Sequence, residues 1–224
     1  TITGGSGNDT IDLGADNFDA NDTVDGGAGT DKLAMEEDDV IALTTAGNNL
    51  TSVTNIETID VTDALAGNIS LNIFNGATTM ELSAGIDGSD RTVTVGSGDT
   101  IDLEADAAND ITITVNGSGT SDTVNLILDD ADVVVNVQAT SVETLNITST
   151  GTADGGANAV AGTTALNSLA GDQGIVITGA EALTFTGAVT ADSIDGSAMT
   201  DVLTVTAGTS AGAQVTGGSA NDIL

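Results

Sequence analysis

One motif and its spacing restrict this chain more than any other feature. The stretch Gly4-Gly5-Ser6-Gly7-Asn8-Asp9-Thr10-Ile11-Asp12 returns as Gly26-Gly27-Ala28-Gly29-Thr30-Asp31-Lys32-Leu33. Asp9 and Asp31 thus stand 22 residues apart. Between them "ANDTVD" echoes "GNDTID" and puts Asp22 where Asp9 stood. Asp22 divides the interval unevenly, a longer step and then a shorter one, and the two together make one period. A fixed period of this length is the mark of a stacked-repeat architecture.

A weaker copy follows. "GSGDTIDL" (96–103) matches "GSGNDTIDL" (5–13) with one residue deleted, and "NGSGTSD" (116–122) matches "GGAGTD" with one inserted. Asp99, Asp110 and Asp122 thereby repeat the trio Asp9, Asp22 and Asp31. The end of the sequence, "VTGGSANDIL", starts the first motif again, with Ala220 in a glycine position and Asp222 in the aspartate position. A second repeat type pairs "SVTNIETIDVT" (52–62) with "ATSVETLNIT" (139–148) and, more loosely, "ITGAEALTFT" (177–186). Both types occur twice in the same order, so residues 1–62 and 96–148 read as relics of one duplication. With the motif at both ends, the expectation is one continuous structure over residues 1–224 that is a segment of a longer repetitive protein.

Between the turns lie short runs of period two: "TVTV", "ITITV", "VNLIL", "VVVNV", "IVITG", "LTFT" and "VLTVT". They are β-branched and bounded by Gly, Asn, Asp and Ser, which is strand chemistry. Side chains alternate across a strand, so each run has one apolar and one Thr/Asn-rich face. Two short strands and two turns need about the length of the period between Asp9 and Asp31, which favours a parallel solenoid over a sandwich. The chain has no Pro, and a strand inside a stack needs every N–H. The predicted fold is therefore all-β, an elongated right-handed parallel β-solenoid. Short decorating helices are expected at "KLAMEEDDVIALTTAG" (32–47) and "TALNSLAGD" (164–172).

Composition narrows the function. The chain has no His and no Cys, which excludes His- or Cys-based catalysis, zinc centres of the usual kind and disulfides. It carries 34 acidic residues against two basic ones, Lys32 and Arg91, for a formal charge of -32. Such a surface repels nucleic acid and anionic membranes. No apolar run is long enough to suggest a membrane span, and no secretory leader opens the sequence. Paired carboxylates such as Asp99 and Asp102 could act on glycosides, but the chain has no Trp or Tyr to form a sugar platform. The expectation is a protein that is not an enzyme.

The glycines suit tight turns that need positive φ. Stacking adds a second requirement. Superposed on neighbouring coils, Asp9 and Asp31 would lie about 5 Å apart, where like charges repel. A hard dication removes that repulsion. Calcium accepts six to eight oxygens from carboxylates and backbone carbonyls, and glycines let carbonyls point at it.

The pattern GGxGxD followed by x, an apolar residue and x resembles the nonapeptide of RTX (repeats-in-toxin) β-rolls. Residues 4–12 and 26–34 match it, and 217–224 match in part. The resemblance implies several bound calcium ions, each held by one turn and the equivalent turn on the next coil. Carried over, the carbonyls of Gly4, Gly5, Ser6 and Gly7 and the carboxylate of Asp9 would face those of Gly26, Gly27, Ala28, Gly29 and Asp31. The opposite turn lacks glycines, so Asp16, Asp19 and Asp22 would supply more side-chain oxygen there. Asp99, Asp110, Asp122 and Asp222 complete the expected ligand set. The period from Asp9 to Asp31 exceeds the family's eighteen, so the roll would be irregular.

The Thr/Ala/Val/Gly-rich remainder resembles the calcium-dependent surface-layer (S-layer) proteins of Gram-negative bacteria. That resemblance implies secretion by a type I system, an extracellular place on the cell surface and self-association into a two-dimensional lattice. Contact with cell-surface polysaccharide would fall to parts of the protein outside this sequence. The alternatives are a stretch of a large RTX adhesin, binding a surface or ice, and the C-terminal roll of a secreted enzyme.

Of the remaining charged positions, Glu57, Glu143 and Glu181 read as solvated residues at strand starts, or else as further ligands or lattice contacts. "EEDD" (36–39) reads as a solvated acidic run or else a surface calcium site. Lys32 offsets local charge, Arg91 forms a surface ion pair, and Phe18 caps the core.

Overall fold

The computed structural model describes residues 1–14, 18–116, 119–132, 136–151, 157–167, 172–205 and 213–224. The chain winds into a parallel β-solenoid of about nine turns with one short helix. A ten-stranded parallel sheet runs along it, from Thr10–Asp12 through Lys32–Met35, Thr58–Val61, Thr79–Leu82, Thr100–Leu103, Thr123–Asp129, Thr144–Thr150, Gly174–Gly179 and Ser193–Met199 to Gln214–Thr216. Each of these strands belongs to one coil, called a rung below. The other flanks carry a six-stranded sheet and two three-stranded sheets.

Alternation builds the core. In Thr123–Asp129, Val124, Leu126 and Leu128 are wholly buried, while Thr123, Asn125, Ile127 and Asp129 point outward and stay part-exposed. The inward residues stack rung on rung: Ile11, Leu33, Ile59, Met80, Ile101, Leu126, Ile147 and Ile177 share one register line. Each such side chain removed from water contributes about 1.5–3 kcal/mol. The core is made of ladders of like residues, so the sequence must repeat.

Rungs vary in length. Thr148 pairs with Thr178, 30 residues on, whereas the next rung, which pairs Gly174 with Ser193, advances by only 19. The two-strand rung expected from sequence holds in the first part. Further on, rungs gain a third strand, as in Thr144–Thr150, Asn158–Val160 and Thr164–Asn167. The third strands form their own sheet with Leu183–Phe185 and Leu203–Val205.

The helix expected at 32–47 is present as Glu37–Ala46, after the strand Lys32–Met35. Glu37, Asp38 and Asp39 fill its first turn, where carboxylates complement the helix dipole, and Gly47 ends it in the left-handed region (φ 65). "EEDD" is thus the start of this helix, and Asp39 also accepts the Phe18 N–H. The helix buries Val40 and Leu43, and its Thr44 hydroxyl accepts the N–H of Ser70 at the edge of the six-stranded sheet. The second expected helix is corrected: Thr164–Asn167 is a strand between Val137–Thr140 and Val189–Thr190. Thr164 and Leu166 point inward there, so ladder pairing overrides local helix propensity. The rest of that segment, 168–171, lies outside the described residues, as do residues 133–135 of "VVVNV".

Candidate metal centres

The corner leading into the ten-stranded sheet carries the acidic motif. Strand registers place Asp9, Asp31, Glu57, Thr78 and Asp99 in one column, and Asp122, Glu143, Gln173 and Asp192 in a second, two residues out of line with the first. In chain order the two columns read Asp-Asp-Glu-neutral-Asp and Asp-Glu-neutral-Asp.

The first two turns superpose as expected. Gly5 pairs with Gly27, and the Asp9 N–H donates to Asp31 Oδ1 at 2.8 Å. Asp9 Oδ2 accepts the Gly5 N–H at 2.6 Å. The Asn8 side chain accepts the Thr30 N–H, and the Gly5 carbonyl accepts the Ala28 N–H. Gly29 has φ +143, and a Cβ there would lie 2.4 Å from the Gly7 carbonyl oxygen, so only glycine allows this approach. Ser6 lies in the same exposed turn.

Asp31 is only 1% exposed, and its Oδ2 has no hydrogen-bond partner. That oxygen sits over Gly26, 2.6 Å from where a Cβ would be. A buried carboxylate oxygen with no donor is expensive, and a cation is the partner that a carboxylate and carbonyl donor set suits. The carboxylates and glycine carbonyls of the Asp9/Asp31 turns are a donor set whose chemistry suits calcium.

The second pair is arranged differently. Thr100 pairs with Asn125, so Asp99 faces Val124, and Asp122 sits two residues out of line. Asp99 Oδ2 accepts the Gly96 N–H at 2.6 Å, and burial pushes its pKa up despite that bond. Asp122 Oδ2, like Asp31 Oδ2, is buried and unpartnered, and it lies 2.4 Å from a would-be Cβ on Gly119.

The remaining expected ligands lie elsewhere. Asp19 and Asp22 serve their own turn: Asp22 Oδ2 accepts the Asp19 N–H, and Asp19 Oδ1 accepts the Asn21 N–H. Asp16 lies outside the described residues. Asp110 belongs to a ladder at the start of the six-stranded sheet. It accepts both the main-chain and side-chain N–H of Asn136, whose Oδ1 takes the Thr163 N–H. Asp222 repeats the motif geometry at a different corner, after the ten-stranded sheet. Its Oδ1 accepts the Leu203 N–H at 2.8 Å and its Oδ2 crowds Gly217.

Glu57 is part-exposed and Glu143 is buried, and both carboxylates are hydrogen-bonded. Glu57 Oε2 accepts the Asp31 N–H at 2.8 Å, and Glu143 Oε2 accepts the Asp122 N–H at 2.7 Å. Glu181 differs: it precedes Leu183–Phe185, at the corner after the ten-stranded sheet, and its N–H donates to the Ser149 carbonyl. Phe18 is buried, as a core cap should be. Arg91 donates to the carbonyls of Leu65, Asp87 and Asp90.

The outer face of the ten-stranded sheet holds a further acidic group that sequence reading missed. Asp60, Glu81 and Asp102 stand on three successive rungs. One oxygen each from Glu81, Asp102 and Glu104 lies within 4.8 Å of the others. Lys32 reaches across from its own rung to Glu81 and to Asp60 (3.8 Å). The Ser83 hydroxyl lies 2.7 Å from Asp60, 3.3 Å from Glu81 and 3.2 Å from Glu104. Burial, then the charges of Glu104, Glu81 and Asp129, raise the Asp102 pKa to about 6 against the weaker pull of Lys32. The signal was present in sequence, since Asp60, Glu81 and Asp102 recur at equal intervals, but no turn motif marks them.

Among the described residues, no helix is long and apolar enough to cross a membrane. No family model matches the chain, and no curated protein or solved structure matches it either.

Proposed function

We propose that this chain is a calcium-stabilised segment of a secreted bacterial surface protein of the RTX type, self-assembling as an S-layer outside the cell. One observation carries the reading: Asp31, 1% exposed at the end of a glycine turn stacked on its twin, keeps a carboxylate oxygen with no partner. When bound there, calcium supplies charge neutralisation between rungs. Asp9, Asp31 and the Gly4–Gly7 and Gly26–Gly29 carbonyls would hold the first ion, and the Asp122 turn a second. The net charge of -32 makes the compact state depend on such compensation. The long Thr/Ala-rich sheets between sparse calcium turns favour a structural layer over the roll of a secreted enzyme.

Calorimetric titration with calcium, alongside circular dichroism with and without chelator, tests the reading. Saturable binding and loss of the β signal on chelation are expected. An unchanged spectrum in chelator with no heat of binding refutes it. Electron microscopy with calcium separates a lattice from an adhesin stretch by the presence of ordered sheets.

The surface-binding alternative gains one specific observation. Thr92 and Thr94 stand in register over Thr112 and Thr114, and Thr140 continues the second rank. Gln138 and Ala165 interrupt the first rank, which keeps this reading second.

A further inference from the structure

The same main-chain clamp holds two aspartates along this corner, and it recurs at a neutral residue, where Asp192 Oδ2 accepts the Gln173 N–H and the Asp192 and Ser193 N–H groups donate to the Gln173 carbonyl. At the first, Asp31 donates its N–H to Glu57 Oε2, while the Glu57 and Thr58 N–H groups donate to the Asp31 carbonyl at 3.0 and 3.1 Å. At the second, Asp122 donates to Glu143 Oε2, and the Glu143 and Thr144 N–H groups donate to the Asp122 carbonyl, both at 3.0 Å. Each clamped aspartate is one with a buried, unpartnered Oδ2. The aspartates one rung earlier behave differently. Asp9 Oδ2 and Asp99 Oδ2 each accept a glycine N–H from their own turn.

We infer that Glu57 and Glu143 are positioning residues, each of which sets the preceding rung's aspartate as a metal-ready carboxylate. By taking the aspartate N–H while its own N–H and the next donate to the aspartate carbonyl, the glutamate fixes the main chain on both sides of that carboxylate. Asp9, whose N–H goes to Asp31 Oδ1 but whose carbonyl takes the Lys32 N–H alone, closes back on Gly5. The clamped aspartate's Oδ2 lies over Gly26 or Gly119 instead of closing back on a glycine N–H. What matters is an acceptor oxygen that crosses from one rung to the next, a crossing that Asp31 Oδ1 and Asp192 Oδ2 also make, to the Asp9 and Gln173 N–H groups. After each glutamate the column turns neutral, at Thr78 and at Gln173. Among the described residues, the glutamate-clamped aspartates thus make two separate ion sites, at Asp31 and Asp122. This inference rests on the calcium reading above and adds which residues set these two sites.

The test is calcium calorimetry on the full chain with Glu57→Ala, Glu57→Gln and Glu57→Asp, and the same three changes at Glu143. Outer-shell partners of metal ligands typically change affinity by about 10–100-fold. Glu57→Ala is expected to weaken one of two sites by at least about tenfold and to leave the other unchanged, and Glu143→Ala to do the reverse. If either alanine variant fails to fold, the other two substitutions still decide. Glutamine keeps the reach and loses the charge, so it should bind calcium within about threefold of wild type. Aspartate keeps an acceptor oxygen and spans the same gap at Asp192, so it too should bind within about threefold of wild type. Aspartate tolerated and glutamine not would make Glu57 a charge-donating ligand and overturn the inference. Wild-type affinity at both sites in Glu57→Ala also overturns it. A wild-type chain that binds no calcium removes the underlying reading instead.

Discussion

Asn158 is the best place to break the solenoid with a single atom group. It is 2% exposed, in the third-strand corner. Its Nδ2 donates to the Leu128 carbonyl (2.9 Å), Ser149 Oγ (2.9 Å) and the Thr150 carbonyl (3.0 Å). Its Oδ1 accepts the Ala131 N–H at 2.9 Å. One amide thus ties the rung of Thr123–Asp129 to the rung of Thr144–Thr150, and Ser149 Oγ passes the link to the Ala182 carbonyl on the next. Asn158→Ala removes all four contacts. It strands the Ala131 N–H, in a residue 1% exposed, at about 1–3 kcal/mol, and forfeits about 1 kcal/mol for each of two lost amide donations. The expected destabilisation is about 3–5 kcal/mol, a large share of a typical domain's stability. Solenoid stability is nearest-neighbour in character, so the damage should be local. Hydrogen exchange by mass spectrometry at fixed calcium is the assay. Protection should fall in peptides covering 123–150 and 174–185 and persist in 58–82. A loss below about 1 kcal/mol in denaturant titration, or a uniform rise in exchange along the chain, refutes the reasoning.

Two further outcomes follow from single groups. Thr164 is wholly buried and its Oγ1 has no partner, so Thr164→Val should stabilise by about 1 kcal/mol, read as a higher urea midpoint; a lower midpoint would show that the hydroxyl is satisfied. Asp102, with its pKa raised to about 6, binds its proton more tightly folded than unfolded. Stability therefore falls as pH rises from about 4 to 6, and the penalty stands in full above that window. Asp102→Asn should raise the melting temperature at pH 7.5, with the advantage shrinking by pH 5; a pH-independent difference would contradict the cause.

How much could be read beforehand depended on what each feature needs. The strands Arg91–Val95, Ile111–Val115 and Thr123–Asp129 were legible because period two is local. So was the pairing of Asp9 with Asp31, since identical motifs one period apart must superpose in any stacked repeat. Asp99 and Asp122 looked equivalent to them, yet the strand register sets Asp99 level with Val124 and leaves Asp122 two residues out of line. Glu57 and Glu143 were visible as a recurrence without a role. Their oxygens bond a main chain 26 and 21 residues away, and only register decides which N–H lies there.

By itself the sequence determined the unit: short strands, glycine turns ending in an acid, a stack with no proline, and a charge that demands compensation. The tertiary structure decided which acids meet. Rungs of unequal length, the longest running from Thr144 to Gly174 and the shortest from Gly174 to Ser193, set the register afresh at every turn. A carboxylate's partner depends on that register to within one residue. Local chemistry cannot encode that sum, so the buried oxygens of Asp31 and Asp122 emerge only once the coils are stacked, and the equal spacing of Asp60, Glu81 and Asp102 becomes an acidic row only there.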